Sequence, residues 1–309
     1  MDPRAAGLLD NIAKVIVGKR TETKLITACL LSGGHVLIED MPGVGKTMLA
    51  RALAVSIGGR ASRIQFTPDL LPSDVTGLSV YNQKTGEFDF KPGPIFANVV
   101  VADEINRANP RTQSALLEAM GERQITVDGV TRKLEEPFMV VATQNPIEFQ
   151  GTYPLPEAQL DRFLMRISLG YPSMSEEAEI VQKQSRKHPI ENLAPVLSLG
   201  QVMELTGDCS NVEAKPDLVR YMAGLCAATR NHPDLLIGAS PRATIGMHKS
   251  ARAWAFLAGR NYSTPDDVKE VAIPVMAHRL ILTHQARFAK RTSDQVVREI
   301  LGQVPVPRS

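Results

Sequence analysis

Several kinds of feature are scarce or missing in this chain, and each absence excludes something. Its three cysteines, Cys29, Cys209 and Cys226, are widely spaced and include no C-x-x-C pair. An odd count with that spacing argues against a disulfide framework or a zinc site and leaves buried, reduced thiols. The six histidines are scattered without ligand-like spacing, so they read as structural. No apolar run approaches the roughly 20 residues that cross a bilayer. The longest candidate, 25–38, is broken by Ser32-Gly33-Gly34. Met1-Asp2-Pro3-Arg4 opens the chain without the apolar stretch of a signal peptide. The expectation is a soluble, cytoplasmic protein with no membrane insertion. Charge of one sign is missing too: 35 Lys and Arg stand against 33 Asp and Glu, for a net +2. That balance disfavours a sequence-blind nucleic-acid binder, although a local basic patch is compatible with it. Internal repeats and low-complexity tracts are absent.

What is present is an ordinary globular composition, 43% apolar and 22% charged over 309 residues, long enough for two domains. The first half alternates helices with short apolar runs. Residues 20–31 carry Leu25, Ile26, Cys29 and Leu30 at helical spacing, and Gly33-Gly34 stops them. A buried strand at 35–39, a Gly-rich loop and a helix at 47–55 follow. Further strands are predicted at 62–66, 98–102, 138–142 and 164–169. Short continuous apolar runs between helices imply an α/β fold, a parallel five-stranded sheet between helices. Two β-hairpins interrupt the pattern as insertions. One pairs 78–81 with 88–90; the other pairs 124–127 with 130–134 around Asp128-Gly129, a strong two-residue turn signal. Beyond Tyr171-Pro172 strand signals vanish. Ser173-x-x-Glu176 and Ser198-x-x-Gln201 read as capping boxes, and Lys215-Pro216, Ser240-Pro241 and Thr264-Pro265 as helix starts. The expected division is a core over 1–170 and an all-helical domain over 171–309.

Chemistry concentrates at strand ends. Asp40-Met-Pro-Gly43-Val-Gly45-Lys46-Thr47 lies between a strand and a helix. Glycines there let backbone N–H groups ring a phosphate at a helix N-terminus, Lys46 can reach terminal phosphates, and the Thr47 hydroxyl can ligate Mg²⁺. Pro42, Gly43, Val44, Gly45, Lys46, Thr47 and Met48 are therefore the candidate nucleotide-contacting residues, with ATP and Mg²⁺ as the expected ligands. Asp40 stands where the pattern G-x-x-x-x-G-K-[ST] has its first glycine. A second buried strand ends in Asp103-Glu104: Asp103 is the candidate Mg²⁺ partner through water, and Glu104 the group that polarises an attacking water. A third ends in Thr143-Gln-Asn145, where Asn145 can orient that water; taken alone, Asn-Pro is a turn. Arg162 precedes the last strand and by itself reads as a partner of Asp161. Arg242 sits in the first turn of a helix, where a cation opposes the dipole by about 0.3–1 kcal/mol unless an anion, a triphosphate for example, offsets it.

These residues together resemble the MoxR family of AAA+ ATPases. The likeness rests on Glu39-Asp-Met-Pro-Gly-Val-Gly-Lys-Thr47, Asp103-Glu-Ile-Asn-Arg-Ala108, Thr112-Gln-Ser-Ala-Leu-Leu-Glu-Ala-Met120, Thr143-Gln-Asn-Pro146 and Tyr153-Pro-Leu-Pro-Glu-Ala-Gln-Leu-Asp-Arg-Phe163. It implies an AAA+ core with a helical lid, Walker A at Lys46 and Thr47, Walker B at Asp103 and Glu104, sensor 1 at Asn145, an arginine finger at Arg162 and sensor 2 at Arg242. Val17 and Gly18 match the segment that borders adenine in related proteins. The resemblance further implies rings, usually hexamers, with Arg162 reaching the neighbouring subunit. It also implies remodelling of client proteins together with a partner carrying a von Willebrand factor A domain. The hairpins are similar to insertions shared with magnesium-chelatase motor subunits and MCM helicases, so a chelatase-type motor and a nucleic-acid motor are the alternatives. Against the latter, Lys84 and Lys91 are matched by Glu87 and Asp89, and Arg123, Arg132 and Lys133 by Glu122, Asp128, Glu135 and Glu136. Neither hairpin is a basic tooth for a phosphate backbone. A nucleotide-gated scaffold without turnover is a third possibility, disfavoured by an intact Glu104.

Overall fold

The structure, a computed structural model, describes residues 1–145, 152–184 and 188–307. Asp2 caps the first helix, α1 (Pro3–Ala13), by accepting from the Arg4 amide, and α2 (Arg20–Leu31) follows. Then come β1 (Val36–Glu39), α3 (Lys46–Ser56), β2 (Ala61–Gln65), α4 (Pro72–Thr76), β3 (Gly77–Asn82), β4 (Glu87–Pro92), β5 (Val99–Asp103) and α5 (Pro110–Glu122). The core closes with β6 (Gln124–Val127), β7 (Val130–Lys133), β8 (Met139–Gln144), α6 (Glu157–Leu160) and β9 (Met165–Ile167). Five of these strands form one parallel sheet in the order β2-β5-β8-β1-β9. They are the five strands predicted from sequence, shifted by a residue or two at their ends.

Both faces of the sheet are covered, which is why its strands read as unbroken apolar runs. Successive residues alternate between faces. Val36 and Ile38 join a cluster with Leu8, Leu49 and Leu53, whereas Leu37, Val100 and Val140 pack with Phe66, Leu116 and Phe163. The first cluster continues into the second half through Leu205, Leu225, Met247 and Val271, so core and lid share apolar packing.

The two hairpins stand outside this sheet as separate antiparallel pairs, β3 with β4 and β6 with β7. Asp128 (φ 52) and Gly129 (φ 74) both adopt the left-handed conformation that a tight two-residue hairpin needs. Arg132 lies 3.8 Å from the Phe90 ring centre, a cation–π contact from one hairpin to the other.

The second half comprises α7 (Met174–Gln184), α8 (Leu199–Ser210), α9 (Pro216–Arg230), α10 (Pro241–Phe256), α11 (Pro265–Met276), α12 (His284–Phe288) and α13 (Ser293–Gln303). Helix starts fall where the sequence put them. Ser173 and Glu176 exchange capping hydrogen bonds, Ser198 and Gln201 form a capping box, and prolines open α9, α10 and α11. One feature departs from the all-helical expectation: β10 (Leu235–Ile237) and β11 (Ile281–Leu282) pair as a short antiparallel ribbon. Strands of three and two residues are too short to show a period-2 pattern. No helix among the described residues is long and apolar enough to cross a membrane.

His35, just ahead of β1, is a buried polar brace. Its Nδ1 accepts from the Val140 amide at 2.9 Å and its Nε2 lies 3.1 Å from the Met120 carbonyl, so the proton sits on Nε2. Burial pushes its pKa down from 6.5 to about 4, which keeps the ring neutral when folded. The unfolded chain takes up this proton below pH 6.5, so the stability His35 contributes is complete above 6.5 and declines as pH falls toward about 4. Urea midpoints measured across that window should fall with pH, and His35→Leu, though less stable at pH 7.5, should show a shallower fall. An identical slope in the variant refutes the assignment.

Candidate nucleotide site

Parallel register aligns the carboxyl ends of four strands at one edge of the sheet. Ile38 pairs with Thr143, Glu39 with Gln144, and Gln65 with Asp103. The loop that leaves β1 turns through Gly43 (φ 86) and Gly45 (φ 91), and Gly45 takes the N-cap position of α3 without a side-chain cap. An added Cβ on either glycine would meet nothing within 4 Å, so the loop borders open space. The uncapped amides of the first turn of α3 are the donors such a space offers to an anion.

Lys46 donates to the Asp40 carbonyl at 2.8 Å. Burial lowers its pKa, while Asp40, Asp103 and Glu104 oppose that and favour the ammonium. The Thr47 hydroxyl donates to Asp103 Oδ2 at 3.2 Å. Asp103 is buried and also accepts from the Thr143 hydroxyl (3.2 Å) and from Arg63 Nε (2.6 Å). Glu104 follows in the left-handed region, at φ 56 and ψ 49. That conformation is costly for a residue with a Cβ and clusters at functional sites. The Glu104 amide donates to Thr143 Oγ1 at 2.9 Å, and its Oε2 accepts from Gln65 Nε2 at 2.8 Å and Arg107 Nη1 at 3.1 Å. Asn145 is buried just beyond β8; Pro146 lies outside the described residues. A hydroxyl beside a buried carboxylate, next to an ammonium and an anion-receptive helix start, is a donor set that fits a magnesium-bound triphosphate.

A cavity of about 320 Å³ adjoins the loop. Ile16, Val17, Val44, Met48, Pro172 and Ile180 line it, an apolar wall suited to a flat base. Val17 thus lines the cavity next to the loop. Gly18 sits against the Glu176 side chain, and its left-handed backbone (φ 76) is one that residues with a Cβ rarely adopt. Pro42 is exposed at the crest of the loop and is not part of the cavity wall.

Arg162 and Arg242 are not brought to this edge. They lie at the opposite, amino-terminal end of the sheet, around a cavity of about 250 Å³ that also includes Gly33, Gly34, Lys249 and Arg279. Arg162 does not take Asp161 as its partner; its Nη1 donates to the Leu117 carbonyl. Asp161 instead binds the buried Arg279 at 2.7 Å and the Ser240 hydroxyl at 3.3 Å. Arg242 Nη1 stands 3.7 Å from Asp161, which supplies the anion that its place at the start of α10 calls for. In a single subunit neither arginine serves its own phosphate loop.

Sequence reading overlooked Arg63, Gln65 and Arg107. Gln65 lies in a recognised strand, but its place beside Asp103 comes from strand order. Arg63 had no signal, because surface arginines near acids are common; Arg107 lies within the Asp103–Ala108 run that carries the family resemblance, without a role of its own there.

Residues 35–165 match the family described as "ATPase family associated with various cellular activities (AAA)", and 227–300 match the AAA lid domain. Chaperone MoxR1 of Mycobacterium tuberculosis is 43% identical over 96% of this chain and 81% of its own length. The chain belongs to the MoxR family of AAA+ ATPases. Protein YeaC of Bacillus subtilis is 51% identical over 99% of this chain and 96% of its own. A crystal structure of a Cytophaga hutchinsonii protein superposes with a TM-score of 0.93 at 39% identity, over 99% of this chain and 95% of that one. Membership in this MoxR group carries nucleotide binding with it.

Gly45→Ala tests the loop. The left-handed conformation costs a residue with a Cβ about 1–2 kcal/mol. The variant should melt slightly lower and lose most affinity for a fluorescent ATP analogue; unchanged affinity contradicts the placement of phosphates at this loop.

Proposed function

We propose that the chain hydrolyses ATP to ADP and phosphate at the edge formed by β1, β2, β5 and β8. The observation that carries this reading is the contact of Thr47 Oγ1 with Asp103 Oδ2 at 3.2 Å, with Lys46 and Glu104 on either side. Thr47 and Asp103 would hold Mg²⁺, which supplies charge neutralisation on the phosphates. Backbone amides from Gly43 to Met48 bind the phosphate oxygens, and Lys46 leaves the Asp40 carbonyl to join them. Arg63, whose side chain is 59% exposed, is free to swing away from Asp103 when the metal takes its place. Glu104 accepts the proton of the attacking water at a carboxylate oxygen, and Asn145 orients that water. Ile16, Val17, Val44 and Met48 bind the base.

Arg162 and Arg242 line a cavity separate from the one at their own loop, which supports their use by an adjacent subunit. We take the working form to be a ring, hexameric as in the family, with Arg162 contacting the neighbour's terminal phosphate. Such a group is worth about 10³–10⁵ in rate, so a lone subunit turns over slowly. Family likeness further supports a chaperone-type role, remodelling a client with a partner that carries a von Willebrand factor A domain.

Glu104→Gln should retain ATP binding and lose turnover, and Lys46→Ala should lose binding; both are read from nucleotide titration and phosphate release. A Glu104→Gln protein that hydrolyses at the parent rate removes Glu104 from its role. For the ring, Arg162→Ala mixed with Lys46→Ala should regain part of the activity that each lacks alone. Absence of any recovery in well-formed rings argues for a finger that does not act across subunits.

A further inference from the structure

Asp40 replaces the first glycine of the phosphate-loop pattern, and its side chain is built into the fold rather than left in solvent; the residue is only 8% exposed. Its Oδ1 accepts from the Ser168 hydroxyl at 2.8 Å and from the Gly170 amide at 3.2 Å, and the Leu169 amide donates to Oδ2. Residues 168–170 are where the chain leaves β9 for the lid, and Gly170 there takes a left-handed conformation (φ 61). Immediately beyond, Pro172 and then Ile180 of α7 wall the apolar cavity beside the loop. The backbone of Asp40 faces the other way: its carbonyl holds Lys46 Nζ at 2.8 Å, and its amide donates to the Gln144 carbonyl at 3.4 Å, one residue from Asn145. A glycine could keep both backbone bonds but none of the three made by the carboxylate.

We propose that Asp40 is a positioning residue that clamps the 168–170 connector to the phosphate loop, so that movement of Lys46 from the Asp40 carbonyl onto a phosphate is transmitted to the connector and to α7. This inference rests on the proposed binding of ATP at the loop. While Lys46 holds the Asp40 carbonyl, the peptide is pinned from both sides. Once the ammonium turns to a phosphate, the carbonyl loses its partner, and any rotation of residue 40 is carried by the carboxylate into three donors of the connector. Charge-assisted hydrogen bonds in a site shielded from water are stiff enough for this. The wall of the base cavity then senses whether the lysine is occupied.

The test is amide hydrogen exchange on the full chain, with and without a non-hydrolysable ATP analogue, for the parent, Asp40→Gly, Asp40→Asn and Ser168→Ala. Without nucleotide, the amides of Leu169 and Gly170 should exchange about ten times faster in Asp40→Gly, since their acceptor is gone. Asp40→Asn, which keeps one acceptor oxygen, should fall between it and the parent. Ser168→Ala leaves the loop and its charge intact and should raise exchange less, about threefold, which covers the case of an Asp40 variant that does not fold. With the analogue, exchange across 168–180 should change in the parent and stay unchanged in Asp40→Gly. Parent-like exchange at 169 and 170 in both Asp40→Gly and Ser168→Ala overturns the clamp. A parent that binds the analogue without any response across 168–180 overturns the coupling. A parent that binds no analogue defeats the ATP reading and the coupling with it, while the nucleotide-free comparison still decides the clamp.

Discussion

The parallel pairing of β1 with β8, and of β5 with β8 and β2, is the constraint on which everything else here rests. Parallel strands end together, so the residues that follow their last apolar positions share one edge. Asp103, Glu104, Thr143 and Gln65 come from three strands separated by up to about eighty positions in the chain, yet they form one hydrogen-bonded network. Burying Asp103 would be costly without partners. Thr47, Thr143 and Arg63 supply them, and each could later yield to another ligand.

The two ends of the sheet carry different chemistry. At the carboxyl end an ammonium, two carboxylates and open amides surround a loop. At the amino end Arg123, Arg162, Arg242, Lys249 and Arg279 border one cavity with Asp161. Arg279 is nearly inaccessible; burial lowers its pKa, and the Asp161 contact counters that and holds its charge. That ion pair also fastens lid to core, because Arg279 donates to the Phe163 carbonyl at 2.7 Å. The shared apolar cluster does the same job without direction, and the ion pair adds orientation.

Local rules break at the places where function concentrates, as expected of sites that trade stability for geometry. Glu104 holds a left-handed backbone, Gly45 starts a helix without a side-chain cap, and Asp40 occupies a position the consensus leaves to glycine. Asp40 shows how such a departure can be useful. The carboxylate that a glycine lacks reaches the exit from β9.

By itself the sequence determined the elements and most of the candidate site, because those signals are local. Apolar runs mark buried strands, Asp128-Gly129 admits only one kind of turn, Ser and Pro announce helix starts, and a glycine-lysine-threonine run between strand and helix has few other uses. Only the tertiary structure decided which of these residues meet. Strand order, which no short window of sequence encodes, brought Gln65 and Arg63 to the acids of β5. The start of β9, and the start of α10 docked beside it at Asp161, put Arg162 and Arg242 at the end of the sheet away from Lys46. The same holds for the ribbon of β10 and β11, which pair across more than forty positions, and for the carboxylate of Asp40. Pairing over such distances follows from how the whole core packs, and nothing local to either partner records it.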